Sequence, residues 1–415
     1  MATQVNPPRG MRDFLPAEKA RRERVLGVIR ETYRAHGFDE IETPVMEESS
    51  RLHAGLGGDN EKLAYAVLKR ALTADDLNAA AASASPLDLA DLGLRFDLTV
   101  PLARFYATHR AALPSVFRAI QIAPVWRAER PQKGRHRQFV QCDIDIIGES
   151  GALAEVELIT ATAATLSALG LEGWSVRVND RRILTGLLDH AGVPAAQHER
   201  ALITIDKLDK IGADGVAAEL AENGIPAAGL AEALAASGWE LLDGNPPAWL
   251  DQDAYRDLLA LRDALPHVDL VFDPTLVRGM GYYTGTIFEV AHPSSSSSLG
   301  GGGRYDGMIG RFLGTDVPAC GFSLGFERLV DLVDLTTDEV QDAVALVYDP
   351  AVPVSRLVAL KTHLVAGGSR VRLEARTKNT KTLLERLALE GYTRFAFVEA
   401  DTTPETLELR ALTVG

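Results

Sequence analysis

Two apolar segments, Ile120–Arg127 and Arg137–Ile147, bracket the short basic turn AERPQKGRH. Runs of this kind, joined by a polar connection containing Gly and Pro, read as neighbouring antiparallel strands. The second reads QCDIDIIG. Gln141, Asp143 and Asp145 alternate there, so on a strand they share one face, with Ile144 and Ile146 on the other. The chain must cover the apolar face. The polar face is either exposed to solvent or the floor of a polar pocket. The turn gathers Arg127, Arg130, Lys133, Arg135, His136 and Arg137, five fixed positive charges and one imidazole within eleven residues. Planar arginine forks meet phosphate oxygens bidentately, and Phe139 could stack on a purine. The alternative is a solvated basic hairpin tip.

That local charge stands against an acidic total. The 415 residues carry a net charge of −14, so a basic average does not announce nucleic acid, although binding needs only a basic face. With 46% hydrophobic and 24% charged residues, the composition is that of a globular protein able to bury a sizeable core. No apolar run is long enough to span a membrane and no signal-peptide pattern opens the chain. Cys142 and Cys320 are not ligand-spaced, so neither a disulfide framework nor a structural metal is expected, and the reducing cytoplasm is the expected compartment.

The surrounding chain organises readily. Residues 18–36 predict an amphipathic helix, with Val25, Leu26, Ile29 and Tyr33 on one side and Gly37 ending it. FDEIETPVME predicts a short strand stopping before Pro44. Residues 74–92, rich in Ala, Ser and Asp, read as a surface insertion with some helix. Residues 152–170 predict a helix. From 172 to 265 one strand, SVRVN, accompanies several Ala/Leu/Glu helices, which suggests a mostly helical insertion. A strand returns at Ile287–Val290, and the run Ser294–Ser298 reads as a flexible loop. After a linker near 340, ALVYD, SRVRLE and RFAFVE alternate with two helical patterns, a βαβαβ rhythm with a partly parallel sheet. The boundaries are therefore 1–171 and 266–338 for a two-part core, 172–265 for the insertion and 342–415 for a small α/β domain.

Three further segments could carry chemistry. In LRFDLTVPLARF, Asp97 could hold an ammonium with Thr99 adding a hydroxyl, or both could serve a helix start. In LVRGMGYYTGTIFEV, Arg278 lies beside Gly279 and Gly281, which allow close backbone approach. Tyr282 and Tyr283 point to opposite faces if the segment is extended, and one could offer its hydroxyl to an imidazole. In GGGGRYDGM, followed by PACGFSLGFERL, glycines leading to a helix could cradle an anion. Arg328 could then reach a terminal phosphate or form a surface salt bridge.

The order of these pieces resembles the histidyl-tRNA synthetases, a class II aminoacyl-tRNA synthetase family, over about residues 7–400. PPRGMRDFLP is similar to the family's N-terminal signature, and GFDEIETPVME to motif 1. FRAIQIAPVWRAERPQKGRHRQF is similar to motif 2, and CGFSLGFERL to motif 3. RGMGYYTG and GGGRYDGM resemble segments peculiar to the histidine enzymes. The resemblance implies an α+β fold: an antiparallel sheet core with helices, a helical insertion and a small C-terminal α/β anticodon-binding domain, in a two-fold homodimer. It implies ATP and Mg2+, with L-histidine and tRNA(His) as partners. Arg127 would meet the α-phosphate and Arg328 the γ-phosphate, with Arg135 also at the nucleotide and Glu129 and Phe139 at the adenine. Asp97, Thr99 and Gln141 would bind the histidine ammonium; Asp145 and Tyr283, beside Tyr282, would read the imidazole; Arg278 would sit near the carboxylate and α-phosphate.

The departures are specific. The family usually reads RGLDYY, and Gly281 replaces the acidic residue. The terminal domain is shortened. It is near neutral in an otherwise acidic chain, and Arg370, Arg372, Arg376, Lys378 and Lys381 are its candidates for an RNA-facing patch. The competing reading is a catalytically inactive regulatory subunit of ATP phosphoribosyltransferase in histidine biosynthesis. Persistence of Arg127, Arg278 and Arg328 speaks against it.

Overall fold

A computed structural model describes residues 5–53, 63–131, 134–226, 230, 238–242, 246–278, 282–295, 297–334 and 342–412. Lys133, Gly279, Gly281 and most of the linker near 340 lie outside the described residues. The chain divides into two compact units, Met1–Leu335 and Thr336–Gly415.

The larger unit is built on an eight-stranded sheet. Its strands are β1 (Asp39–Glu40), β5 (Phe117–Trp126), β6 (Gln138–Ile147), β7 (Ser175–Asp180), β8 (Leu270–Phe272), β9 (Thr286–Ala291), β10 (Gly300–Arg304) and β11 (Ala319–Gly325). They lie in the order β1-β5-β6-β11-β10-β9-β7-β8. All pairings are antiparallel except β1 with β5 and β7 with β8. A small sheet carries β2 (Met46–Glu48), β4 (Ala90–Leu94) and β3 (Tyr65–Leu68) in that order.

One face of the large sheet is closed by apolar packing. The helix Pro16–Ala35 starts with Pro in its first turn and ends at Gly37, whose φ of +85° lets the chain reverse. It buries Val25, Leu26, Ile29 and Tyr33, the stripe its periodicity predicts. Burying each such side chain stabilises by roughly 1.5–3 kcal/mol. The helix Leu153–Ala168 packs beside it, and Cys142, Ile144 and Ile146 of β6 face this core fully buried.

Several local expectations are refined. The motif 1 segment forms two strands on either side of Pro44, one in each sheet. The stretch 74–92 is a helix, Ala74–Ser83, started by a Thr73–Asp76 capping box, but its end enters β4, the centre of the small sheet. The strand expected inside the helical insertion is β7, which pairs with β9 in the main sheet. The helices Arg181–His190, His198–Ile205, Leu208–Glu222 and Gln252–Ala264 follow it before β8.

The smaller unit contains β12 (Ala343–Tyr348), β13 (Arg370–Ala375), β14 (Arg394–Val398) and β15 (Arg410–Ala411), in the order β13-β12-β14-β15. The first three pair in parallel, as the βαβαβ rhythm predicts, and β15 adds an antiparallel edge that the sequence did not suggest. Helices Val354–Ala366 and Thr380–Leu389 cover opposite faces. Leu357 and Leu360 pack on Val344, Leu346 and Val398, whereas Leu383 and Leu387 pack on Ala345 and Val347.

Candidate active site

The other face of the large sheet floors a cavity of about 440 Å³. Arg127, Glu129, Arg135, Phe139, Arg328, Asp97, Thr99, Gln141, Asp145, Arg278, Tyr282 and Tyr283 all line it, so residues far apart in sequence converge on one site. The cavity has two electrical sides.

The acidic side rests on β6. Gln141, Asp143 and Asp145 share a face and all are buried, so the exposed-face alternative for this strand does not hold. The Tyr305 hydroxyl donates to Asp145 Oδ1 at 2.6 Å. Burial pushes the Asp145 carboxyl up to about 7, against the downward pull of that hydrogen bond and with a further push from Asp97. Asp143 is raised by burial and by Asp145 beside it. Gln141 Nε2 donates to Ser323 Oγ at 2.9 Å, while its buried Oε1 has no partner among the described residues. Asp97 both lines the cavity and serves a helix start, accepting from the Val100 amide at 3.2 Å, so its two readings are compatible.

The cationic side holds Arg127, Arg135, Arg278 and Arg328. Arg127 donates from Nε to the Phe96 carbonyl at 2.9 Å, and its guanidinium lies 5.1 Å from the Phe139 ring centre. Arg278 Nη1 donates to Glu289 Oε2 at 2.9 Å, and its buried Nε has no partner among the described residues. Arg328 is in no surface salt bridge among the described residues: it donates to the Ser298 carbonyl inside the cavity. Burial first, and then Arg135, pull its pKa down. Arginines held this close, with donors left over, suit a polyanion.

The glycine run Gly300–Gly303 is strand β10, central in the sheet, and it leads into the helix Asp306–Leu313. A Cβ on Gly301 would lie 2.6 Å from Arg278 Nη1, and one on Gly303 2.9 Å from Tyr283 Cδ1. One on the neighbouring Gly321 would lie 2.0 Å from Asp145 Oδ1. At Gly301 and Gly321 the missing side chain leaves space that Arg278 and Asp145 occupy, and at Gly302 it leaves room for the Gly321 carbonyl, 1.9 Å from where a Cβ would lie. Tyr282 and Tyr283 do not point to opposite faces: both line the cavity, with ring centroids 4.8 Å apart.

Sequence reasoning did not assign Glu289, Tyr305, Ser323 or Glu327 to the site, although all four line it. Tyr305 had a signal, since it lies inside GGGGRYDGM. Glu289 had none, because its meeting with Arg278 depends on strand register. In the smaller unit, Arg372 pairs with Glu390 and lies 3.6 Å from Glu374. Arg376 pairs with Glu399 at 3.3 Å and Lys381 with Glu385 at 3.8 Å. The Arg370 guanidinium lies 4.9 Å from the Tyr392 ring centre.

Comparison with known proteins bears directly on this site. A model of the family described as histidyl-tRNA synthetase matches residues 10–329. The chain belongs to the histidyl-tRNA synthetase family. The chain is 63% identical over 429 residues to a histidine–tRNA ligase of Leifsonia xyli subsp. xyli, covering 100% of both chains. It is 42% identical to a probable histidine–tRNA ligase of Tropheryma whipplei, covering 97% of this chain and 98% of that one. The fold is similar to that of a histidyl-tRNA synthetase from Nostoc sp. PCC 7120, with a TM-score of 0.76, 24% identity, and coverage of 99% and 95% of the two chains. An ATP phosphoribosyltransferase regulatory subunit/histidyl-tRNA synthetase from Bacillus halodurans shares the fold with a TM-score of 0.73, 22% identity, and coverage of 96% and 99%. Within the family, the match spans the basic turn, the glycine strand and Arg328, the parts that build the cavity.

Proposed function

We infer that this chain is a histidine–tRNA ligase that activates histidine with ATP and transfers it to tRNA(His). The observation that carries the reading is the single cavity in which an acidic floor faces four arginines. An amino acid offers an ammonium to the acids; a triphosphate offers its charge to the arginines. Asp97, Thr99 and Gln141 would hold the ammonium. Asp145, with Tyr282 and Tyr283, would read the imidazole. Glu129 and Phe139 would hold the adenine, Arg127 and Arg278 the α-phosphate, and Arg135 and Arg328 the outer phosphates. Magnesium would arrive with the nucleotide, since it keeps waters and binds chiefly through substrate phosphates.

The histidine carboxylate attacks the α-phosphorus in line, forming the mixed anhydride and releasing pyrophosphate. The terminal adenosine of tRNA then attacks the histidyl carbonyl and AMP leaves. Positioning and charge neutralisation dominate, because the side chains form no covalent bond to substrate. The reading extends to a homodimer in the cytoplasm and to anticodon contact through the smaller unit. The described helices include none long and apolar enough to cross a membrane. The regulatory-subunit alternative is less well supported, since Arg127, Arg278 and Arg328 all line the cavity. Histidine-dependent ATP–pyrophosphate exchange, followed by charging of tRNA(His), tests the reading: absence of exchange in wild-type protein would sink it.

A further inference from the structure

The segment PPRGMRDFLP is not among the described residues that line the cavity, yet it is bound to the elements that carry them. The Arg137 amide donates to the Gly10 carbonyl at 2.8 Å, and Arg137 Nη1 reaches the Arg9 carbonyl at 3.5 Å. Arg137 also closes the basic turn. Its Nε donates to the Glu129 carbonyl at 3.0 Å, and its own carbonyl accepts from the Arg127 amide at 2.9 Å. Gly10 has a φ of +84°, and a Cβ there would lie 2.8 Å from Pro131 Cγ and 2.9 Å from Arg137 Cγ. The backbone of residue 10 therefore lies flush against the turn, in a conformation L side chains resist.

Two residues on, Arg12 donates to Glu327 Oε2. Glu327 is buried, takes both nitrogens of Arg22 at 2.6 and 2.8 Å, and accepts from the Val140 amide at 3.2 Å. Val140 follows Phe139, and Glu327 precedes Arg328. One carboxylate thus joins the N-terminal segment to the strand and helix that carry two nucleotide-facing side chains. The Phe14 ring, with the Arg22 guanidinium 3.9 Å from its centre, closes the arrangement.

We propose that Gly10 and Arg12 form a strap that positions the basic turn and the Phe139–Arg328 pair for ATP, making both residues positioning determinants of nucleotide affinity and not of histidine affinity. The proposal rests on the ligase reading for the identity of the nucleotide. Arg12 is a better test than Arg22: its side chain is 34% exposed against 6% for Arg22, and its loss leaves Glu327 still paired.

The test compares wild type, R12A, R12K and G10A by calorimetric titration with α,β-methylene-ATP, by ATP and histidine KM in pyrophosphate exchange, and by thermal midpoint. R12A and G10A are expected to weaken nucleotide affinity and raise ATP KM about tenfold, with histidine KM within about twofold, and R12A to keep the wild-type midpoint. R12K should recover most of the loss, because only one donor is needed at Glu327. Unchanged ATP affinity in R12A would overturn the strap. So would equal losses for ATP and histidine accompanied by a fallen midpoint, since that is the signature of mere destabilisation. If G10A does not fold, R12A and R12K decide. Wild-type protein that binds nucleotide without exchange would sink the ligase reading alone, with calorimetry still deciding the strap; wild type that binds no nucleotide overturns both.

Discussion

Asp145→Asn separates the electrostatic cost of burying this carboxylate from its proposed role in the histidine pocket. Asp145 is buried, and its carboxyl titrates near 7 in place of 3.8, chiefly because burial penalises the charge. A raised folded-state pKa means that stability is fully present below 3.8 and is lost as pH rises through 7. Three pH units correspond to about 4 kcal/mol at the alkaline limit, of which about 2 kcal/mol falls between pH 5.5 and 8. Asn is isosteric, stays neutral and can still accept from Tyr305. The stability advantage of the Asn variant should therefore widen by about 2 kcal/mol across that interval. Urea unfolding followed by tryptophan fluorescence measures it in one unit alone, because Trp126, Trp174, Trp239 and Trp249 all lie in the larger one. The same variant should raise histidine KM while leaving ATP KM nearly unchanged. A gap independent of pH, or an Asn variant less stable than wild type at pH 8, would refute the argument that burial of this charge is costly.

Other consequences are open to simpler measurements. Arg278→Ala should cut histidine-dependent pyrophosphate exchange by about a thousandfold, the scale of losing one preorganised donor to developing charge; wild-type exchange in that variant would remove Arg278 from the chemistry. Gly301→Ala places a Cβ 2.6 Å from Arg278 Nη1 and 2.7 Å from the Phe288 carbonyl. It should cost about 1–3 kcal/mol of stability in chemical denaturation and also lower exchange. Affinity for tRNA should fall steeply with salt, and replacing Arg370 and Lys378 together should reduce the log–log slope by about 2 in filter binding. A salt-insensitive affinity would take the smaller unit's cations out of RNA recognition.

Much of this site was legible because its signals are local. The alternation in QCDIDII is a period-two pattern, and β6 presents Gln141, Asp143 and Asp145 on one face as that pattern requires. The stripe Val25, Leu26, Ile29 and Tyr33 reads just as directly, because helical periodicity needs no partner to be visible. The glycine run was not legible as a strand. Glycine has low strand propensity, and the tertiary crowding around β10 and β11, by neighbouring strand backbone and by Arg278, Tyr283 and Asp145, explains why side chains are excluded there. Tyr282 and Tyr283 also escaped, because a strand alternation would separate neighbouring side chains, whereas both residues line one cavity.

The amino-acid sequence by itself determined the chemical inventory and its order: the arginines, the carboxylates, the tyrosines and the segments that carry them. Tertiary structure alone decided which of these groups meet. Glu289 reaches Arg278 from another element, Tyr305 reaches Asp145 across 160 positions, and Glu327 joins Arg12 across 315. It also decided that the Asp145 carboxyl is pushed up to about 7, since a pKa depends on how much water the folded chain removes from a carboxylate, and no single residue carries that information.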